Sequence, residues 1–162
     1  MNTDSLILPI VGVRLITEDV ARFGAYPAET GGFLLAPRET ELVTTIALAG
    51  TRGIVHRRGL FQVSELALDR LFAYADERDL WIPAQYHSHG GRAFMSPTDI
   101  DHGLSVAGFV STIVPFYATP PADPARWGWW QYDGEWTTID PPRVEPAVAS
   151  AIVFDEDGVR AG

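Results

Sequence analysis

Two histidines one residue apart, His87 and His89, end an apolar run, Leu80-Trp81-Ile82-Pro83-Ala84-Gln85, that reads as a strand. Side chains on a strand alternate between faces, so the two imidazoles share one face and Ser88 points the other way. Shortly after, Ser96-Pro97-Thr98-Asp99 reads as a helix start, with Ser96 at N-cap, Pro97 at N1 and Asp99 at N3. An aspartate in a first helical turn is held rigidly and can face back toward the strand end. His87, His89 and Asp99 together form a candidate ligand set. Three protein ligands leave the fourth position of a zinc ion for water, which is the catalytic rather than the structural pattern. Zinc lowers the pKa of that water to about 7. Taken singly, each piece has a plain reading, as surface histidines or a helix cap. Their adjacency is what points to a metal.

A second stretch, Pro27-Ala28-Glu29-Thr30-Gly31-Gly32-Phe33-Leu34-Leu35-Ala36, places a carboxylate just before two glycines and an apolar strand. By itself Glu29 reads as a solvated residue ahead of a turn. With Glu29, then His87-x-His89, then Ser96-x-x-Asp99, the chain resembles the JAMM metalloprotease family, the JAB1/MPN domains. The resemblance implies that His87, His89 and Asp99 hold Zn2+. It implies that Glu29 takes a proton from the attacking water and passes it to the leaving amine, and that Ser96 donates a hydrogen bond to the oxyanion. It further implies an α/β (α+β-type) fold, a single MPN/JAB-like domain with a mixed, largely antiparallel sheet flanked by helices. The implied activity is zinc-dependent peptidase or isopeptidase cleavage after the C-terminal Gly of a ubiquitin or ubiquitin-like protein. Bacterial members of the family resemble so small a chain, and some are encoded near E1-like and E2-like enzymes, including in anti-phage systems. Processing of a sulfur-carrier protein and a non-catalytic scaffold are the alternatives. In two places the chain departs from the family pattern. Six residues separate His89 from Ser96, one fewer than is common, and Gly90 stands where Pro is frequent.

The elements that must position these residues are read from pattern. Residues 6–14 are β-rich, with Pro9 and Gly12 marking an edge or bend, and Thr17 is expected to cap a short helix ending near Gly24. Residues 33–36 and 41–49 are expected to form a hairpin around Pro37-Arg38-Glu39-Thr40, followed by a polar connection over 50–59. His56 in that connection reads as a solvated loop residue, with substrate contact as the alternative. Ser64 caps a predicted helix over about 65–78, whose Leu68, Leu71, Phe72 and Ala75 make an apolar stripe. His102, one turn after Asp99, reads as an orienting or solvated residue, because a fourth protein ligand would displace the reactive water. A strand is expected within 109–117, and Asp133-Gly134 between aromatic runs signals a hairpin. Trp127, Trp129, Trp130 and Trp136 read either as a docking surface or as aromatics closing the end of the sheet. Residues 144–154 are ambiguous, and 155–162 read as a flexible tail.

Composition bounds the rest. The chain has 162 residues, enough for one domain over 1–162 with a real core. It has no cysteine, which excludes disulfides, thiol nucleophiles and thiolate metal sites. A net charge of −9 argues against nucleic acid as a partner and suits a partner with a basic face, while the family resemblance implies a ubiquitin-like protein or its conjugates, with E1-like or E2-like enzymes, as the partners. No apolar run is long enough for a membrane span, and Met1-Asn2-Thr3-Asp4 lacks the positive start of a signal peptide, so a cytoplasmic location is expected. All 12 basic residues are Arg. Codon bias explains this most simply, and avoidance of self-tagging beside conjugation enzymes is the sharper alternative.

Overall fold

The computed structural model describes residues 6–102 and 104–162, without the side chains of residues 101 and 102. The chain opens with β1 (Ile7–Pro9), α1 (Ile10–Gly24), β2 (Gly31–Pro37) and β3 (Thr45–Ala49). The hairpin β4 (Ile54–Arg57) and β5 (Leu60–Val63) follows, then α2 (Glu65–Glu77), β6 (Leu80–Ser88) and α3 (Pro97–His102). The remainder is β7 (Val110–Val114), β8 (Gly128–Tyr132), β9 (Trp136–Thr138), β10 (Arg143–Glu145), β11 (Ser150–Asp155) and β12 (Gly158–Ala161).

Eight of these strands form one mixed sheet in the order β12-β11-β3-β2-β6-β7-β8-β9. Five of its pairings are antiparallel, while β3 with β11 and β6 with β7 run parallel. Strand alternation sorts its side chains into two cores. Leu34, Ile46, Leu48, Ala84 and Tyr86 pack with Val13, Ile16 and Val20 of α1 on one face. Phe33, Leu35, Ala47 and Ala49 pack with Ala67, Leu71 and Ala75 of α2 on the other. A sheet covered on both sides explains why β2 and β3 are apolar throughout rather than alternating. Among the described residues no helix is long and apolar enough to cross a membrane.

Several expectations need correction. Only Ile7–Pro9 of the run 6–14 is a strand, and the helix begins seven residues earlier than its expected cap at Thr17. The β-branched composition suggested a strand. Val13, Ile16 and Val20 nevertheless fall on one helical stripe, and burying each contributes roughly 1.5–3 kcal/mol, enough to override intrinsic propensity. The connection over 50–59 carries the hairpin β4–β5, which turns at Arg58-Gly59 with Gly59 at φ +77°. Residues 155–162, expected as a flexible tail, contain β12, paired antiparallel to β11. The ambiguous 144–154 resolves into the end of β10 and most of β11. The α2 stripe is as expected except for Phe72, which stays 41% exposed while Ala67 takes the buried position. The Asp133-Gly134 hairpin is present, with Gly134 at φ +81°. Trp127 and Trp129 are buried and stacked at 6.0 Å, closing that end of the sheet.

The β11–β12 turn is tied to the loop after β3 by Asp155, which is almost fully buried. Its carboxylate accepts two hydrogen bonds from Arg160, at 3.2 and 2.8 Å, and others from the Thr51 and Asp157 N–H groups. Arg160 is the main reason its pKa is lowered to about 2. A folded-state pKa below the unfolded one gives stability that is complete above the unfolded value and lost as pH falls through the folded value. Asp155→Asn is therefore expected to cost about 2 kcal/mol at neutral pH. Its deficit against the parent should shrink between about pH 4 and about pH 2. Denaturant melts across that range check this, and a deficit independent of pH would show that the charge is idle.

Candidate metal centre

β6 delivers the histidines. Its backbone pairs with β2 on one side, with Gly31 opposite His87, and with β7 on the other. The ladder continues past the strand end, where His89 N–H donates to Val114 O at 2.9 Å and Tyr117 N–H donates to His89 O at 3.0 Å. His89 is thus held as firmly as His87. Both rings are buried and point the same way, with Nε2 atoms 3.3 Å apart. Ser88, on the opposite face, accepts a hydrogen bond from Thr30 N–H at 2.9 Å, and its own N–H donates to Thr30 O at 2.9 Å. The residue between the two histidines therefore fastens the residue after Glu29.

The third candidate ligand comes from the start of α3. Asp99 N–H donates to Ser96 Oγ at 3.1 Å, and Ser96 N–H donates to Asp99 Oδ2 at 2.9 Å, a reciprocal cap with aspartate in the far position. The cap turns the carboxylate toward β6. Asp99 Oδ1 lies 3.0 Å from His87 Nε2, and Oδ2 lies 3.2 Å from His89 Nε2. One donor atom from each of the three residues falls within a 4.8 Å group. The 3.3 Å between the two Nε2 atoms approaches the edge of a tetrahedron of zinc ligands with bonds of about 2.0–2.1 Å, and a different Asp99 oxygen faces each imidazole. Two imidazole nitrogens and a carboxylate oxygen are a donor set that zinc accepts, so the residues fit the ion.

Electrostatics agree with this geometry. Burial works against the Asp99 charge, but hydrogen bonds from His87 and His89 prevail and hold its carboxyl well below the usual range. Burial also opposes the His89 charge, yet Asp99 and Glu29 raise its pKa. Glu29 is buried, with Oε1 3.9 Å from His89 Nε2. Desolvation pushes its pKa up to about 7; the nearby His89 lowers it and Asp99 raises it. Glu29 is therefore beside the ligand group without belonging to it.

Of the five expected residues, His87, His89 and Asp99 contact one another, Glu29 lies beside His89, and Ser96 is bound to Asp99. Gly31 and Gly32, which follow Thr30, allow a close backbone approach. A Cβ on Gly32 would sit 2.0 Å from Ala47 O, and one on Gly31 would sit 2.5 Å from Tyr86 O. The His102 side chain lies outside the described residues. His56 is not a solvated loop residue but a half-buried one on β4, close against Glu29. Sequence reasoning also missed the polar support behind the site. Buried Asp19 of α1 accepts hydrogen bonds from Tyr86 at 2.8 Å and from Arg22, and Thr30 Oγ1 lies 3.4 Å away. The signal was present in the i, i+3 pair Asp19–Arg22, but a pair of that kind is normally surface decoration. The donor group opens onto a cleft of about 110 Å3 between β5 and α3, lined by Phe61, Gln62, Gln85 and Leu104 among others.

No protein-family model and no curated protein matches the chain. Solved structures do. A JAB1/MPN domain protein from Archaeoglobus fulgidus aligns with a TM-score of 0.54 at 15% identity, over 87% of this chain and 98% of that one. A protein from Desulfitobacterium hafniense aligns with a TM-score of 0.54 at 14% identity, over 88% and 95%. A protein from Salinibacter ruber aligns with a TM-score of 0.52 at 25% identity, over 83% and 91%. The chain has the JAB1/MPN fold, and at the end of its sixth strand that fold carries a His87-His89-Asp99 group able to bind a metal.

Proposed function

We propose that this protein is a zinc-dependent peptidase or isopeptidase that cleaves after the C-terminal Gly of a ubiquitin-like protein, within a bacterial conjugation or defence system. The observation that carries the reading is the buried Glu29 carboxylate beside a group of three donors, the number that leaves a zinc ion its fourth position for water. His87, His89 and Asp99 would hold Zn2+, which when bound supplies a polarised water and a Lewis acid for the scissile carbonyl. Glu29 receives the water proton as the C–O bond forms, and delivers it to the amine as the C–N bond breaks. A carboxylate at this position is suited to both transfers. Ser96 Oγ accepts from Asp99 N–H, which leaves its own hydrogen for the negative charge building on the carbonyl oxygen.

The cleft supports this substrate class. Its volume of about 110 Å3 is well below the several hundred Å3 of a pocket for a drug-sized ligand. It suits an extended backbone with hydrogens for side chains, which is what a Gly-Gly end presents.

The test is digestion of a ubiquitin-like fusion by the purified, zinc-loaded protein, with metal content measured on the same sample. Cleavage after the glycine should stop with chelator and return with added zinc. Failure to bind zinc, or cleavage indifferent to chelator, would overturn the reading.

A further inference from the structure

Glu29 is the residue whose position matters most, and its backbone is gripped from two sides. On one side Ser88 of β6 holds Thr30. On the other, β4 holds Glu29 itself. Glu29 N–H donates to Arg57 O at 2.9 Å, and His56 Nδ1 lies 3.2 Å from Glu29 O. The His56 ring is itself fixed. It stacks on Phe23 with centroids 4.1 Å apart and planes within 13°, and its Nε2 lies 2.8 Å from Gly50 O. Both partners are carbonyl oxygens, which only accept, so each contact is a hydrogen bond only where the facing ring nitrogen carries hydrogen, and the ring makes both at once only with hydrogen on both nitrogens. Glu29 lies between the end of α1 and the start of β2, outside any regular element, so its position depends on contacts such as these.

We propose that His56 is a positioning residue for Glu29. Through Nδ1–H it pins the Glu29 peptide to the β4–β5 hairpin, and so sets where the carboxylate stands relative to the ligand group. This rests on the reading of Glu29 as the proton carrier. Phe23 and Gly50 orient the ring, which ties α1 and the loop after β3 to the site. Misplacing a reacting group by about 1 Å can cost about a hundredfold in rate, so a clamp two bonds from the Glu29 Cα is well placed to matter.

Three variants test this. His56→Phe keeps a ring for stacking but has no N–H. His56→Asn places an amide N–H near the position of Nδ1, toward Glu29 O. His56→Gln places one nearer that of Nε2, toward Gly50 O. Amide hydrogen exchange on the metal-free protein reads the clamp without reference to activity. Exchange at Glu29 N–H should quicken about tenfold in the Phe and Gln variants and return toward the parent rate in Asn. The Tyr86 amide in β6 should not change. In the zinc-loaded protein kcat should fall about tenfold or more in Phe and Gln with KM unmoved, and recover in Asn. Parent-like exchange at Glu29 in both Phe and Gln overturns the proposal, as does an Asn variant as impaired as Phe. Glu29→Gln measured alongside separates the two ideas. If it keeps full turnover, the proton-carrier reading fails by itself, while the exchange result still decides whether His56 holds the peptide.

Discussion

Replacing Glu29 by Gln is expected to reduce kcat by about 10²–10⁴-fold while zinc content stays at one per chain. Gln matches Glu in shape and still accepts a hydrogen bond, but it cannot take a proton. The carboxylate stands 3.9 Å from His89 Nε2 and is outside the three-donor group, so its loss leaves the ligands in place. A second effect has the opposite sign. Burial holds the Glu29 pKa at about 7 in the folded chain, against 4.5 for an ordinary glutamate. A raised folded-state value gives stability that is present below 4.5 and lost as pH rises through about 7. The metal-free Gln variant should therefore be at least as stable as the parent at pH values above about 7. Steady-state kinetics, metal analysis and denaturant melts of the metal-free forms check the three parts. Undiminished turnover would remove Glu29 from the mechanism.

His87→Ala should abolish both zinc binding and cleavage. The imidazole is one of three donors, and its Nε2 is 3.0 Å from Asp99 Oδ1. Losing an outer partner of a ligand typically costs about 10–100-fold in metal affinity, and losing the ligand itself should cost more. Removal of His87 also leaves Asp99 partly buried with one fewer hydrogen-bond donor, so the carboxylate moves back toward its ordinary pKa. Calorimetric titration with zinc and metal analysis after dialysis read the loss. Stoichiometric zinc in the alanine variant would mean that the ion sits elsewhere. Asp99→Asn is the companion variant, because an asparagine can still accept from Ser96 N–H and so separates ligand loss from cap loss.

The clustering of His87, His89 and Asp99 was legible because strand alternation and the capping pattern are local rules, and the residues of β6 and the start of α3 obey both. The α2 boundaries and the Asp133-Gly134 turn were legible for the same reason. What local rules cannot supply is partner choice. The parallel pairing of β6 with β7 and of β3 with β11 depends on contacts far apart in sequence. The entry into α1 was misread because Ile10, Val11 and Val13 favour a strand in isolation and become helical only when Val13, Ile16 and Val20 find a sheet to cover. The β4–β5 hairpin was missed because Arg57-Arg58-Gly59 looks like a polar loop, and with it went the role of His56. A histidine followed by two arginines gives no hint that Phe23, some thirty residues earlier, will lie under its ring.

The placement of Ser88 between two histidines governs how the chain length can drift over generations. Adding or deleting one residue in β6 would swap inward and outward positions, putting the fastener where a ligand belongs and a ligand where the fastener belongs. That segment must keep its residue count. The stretch from Gly90 to Met95 has no such parity, since it need only bring the Ser96 turn back over the strand end. Related chains should accordingly vary in length there and stay invariant in length from Ala84 to His89.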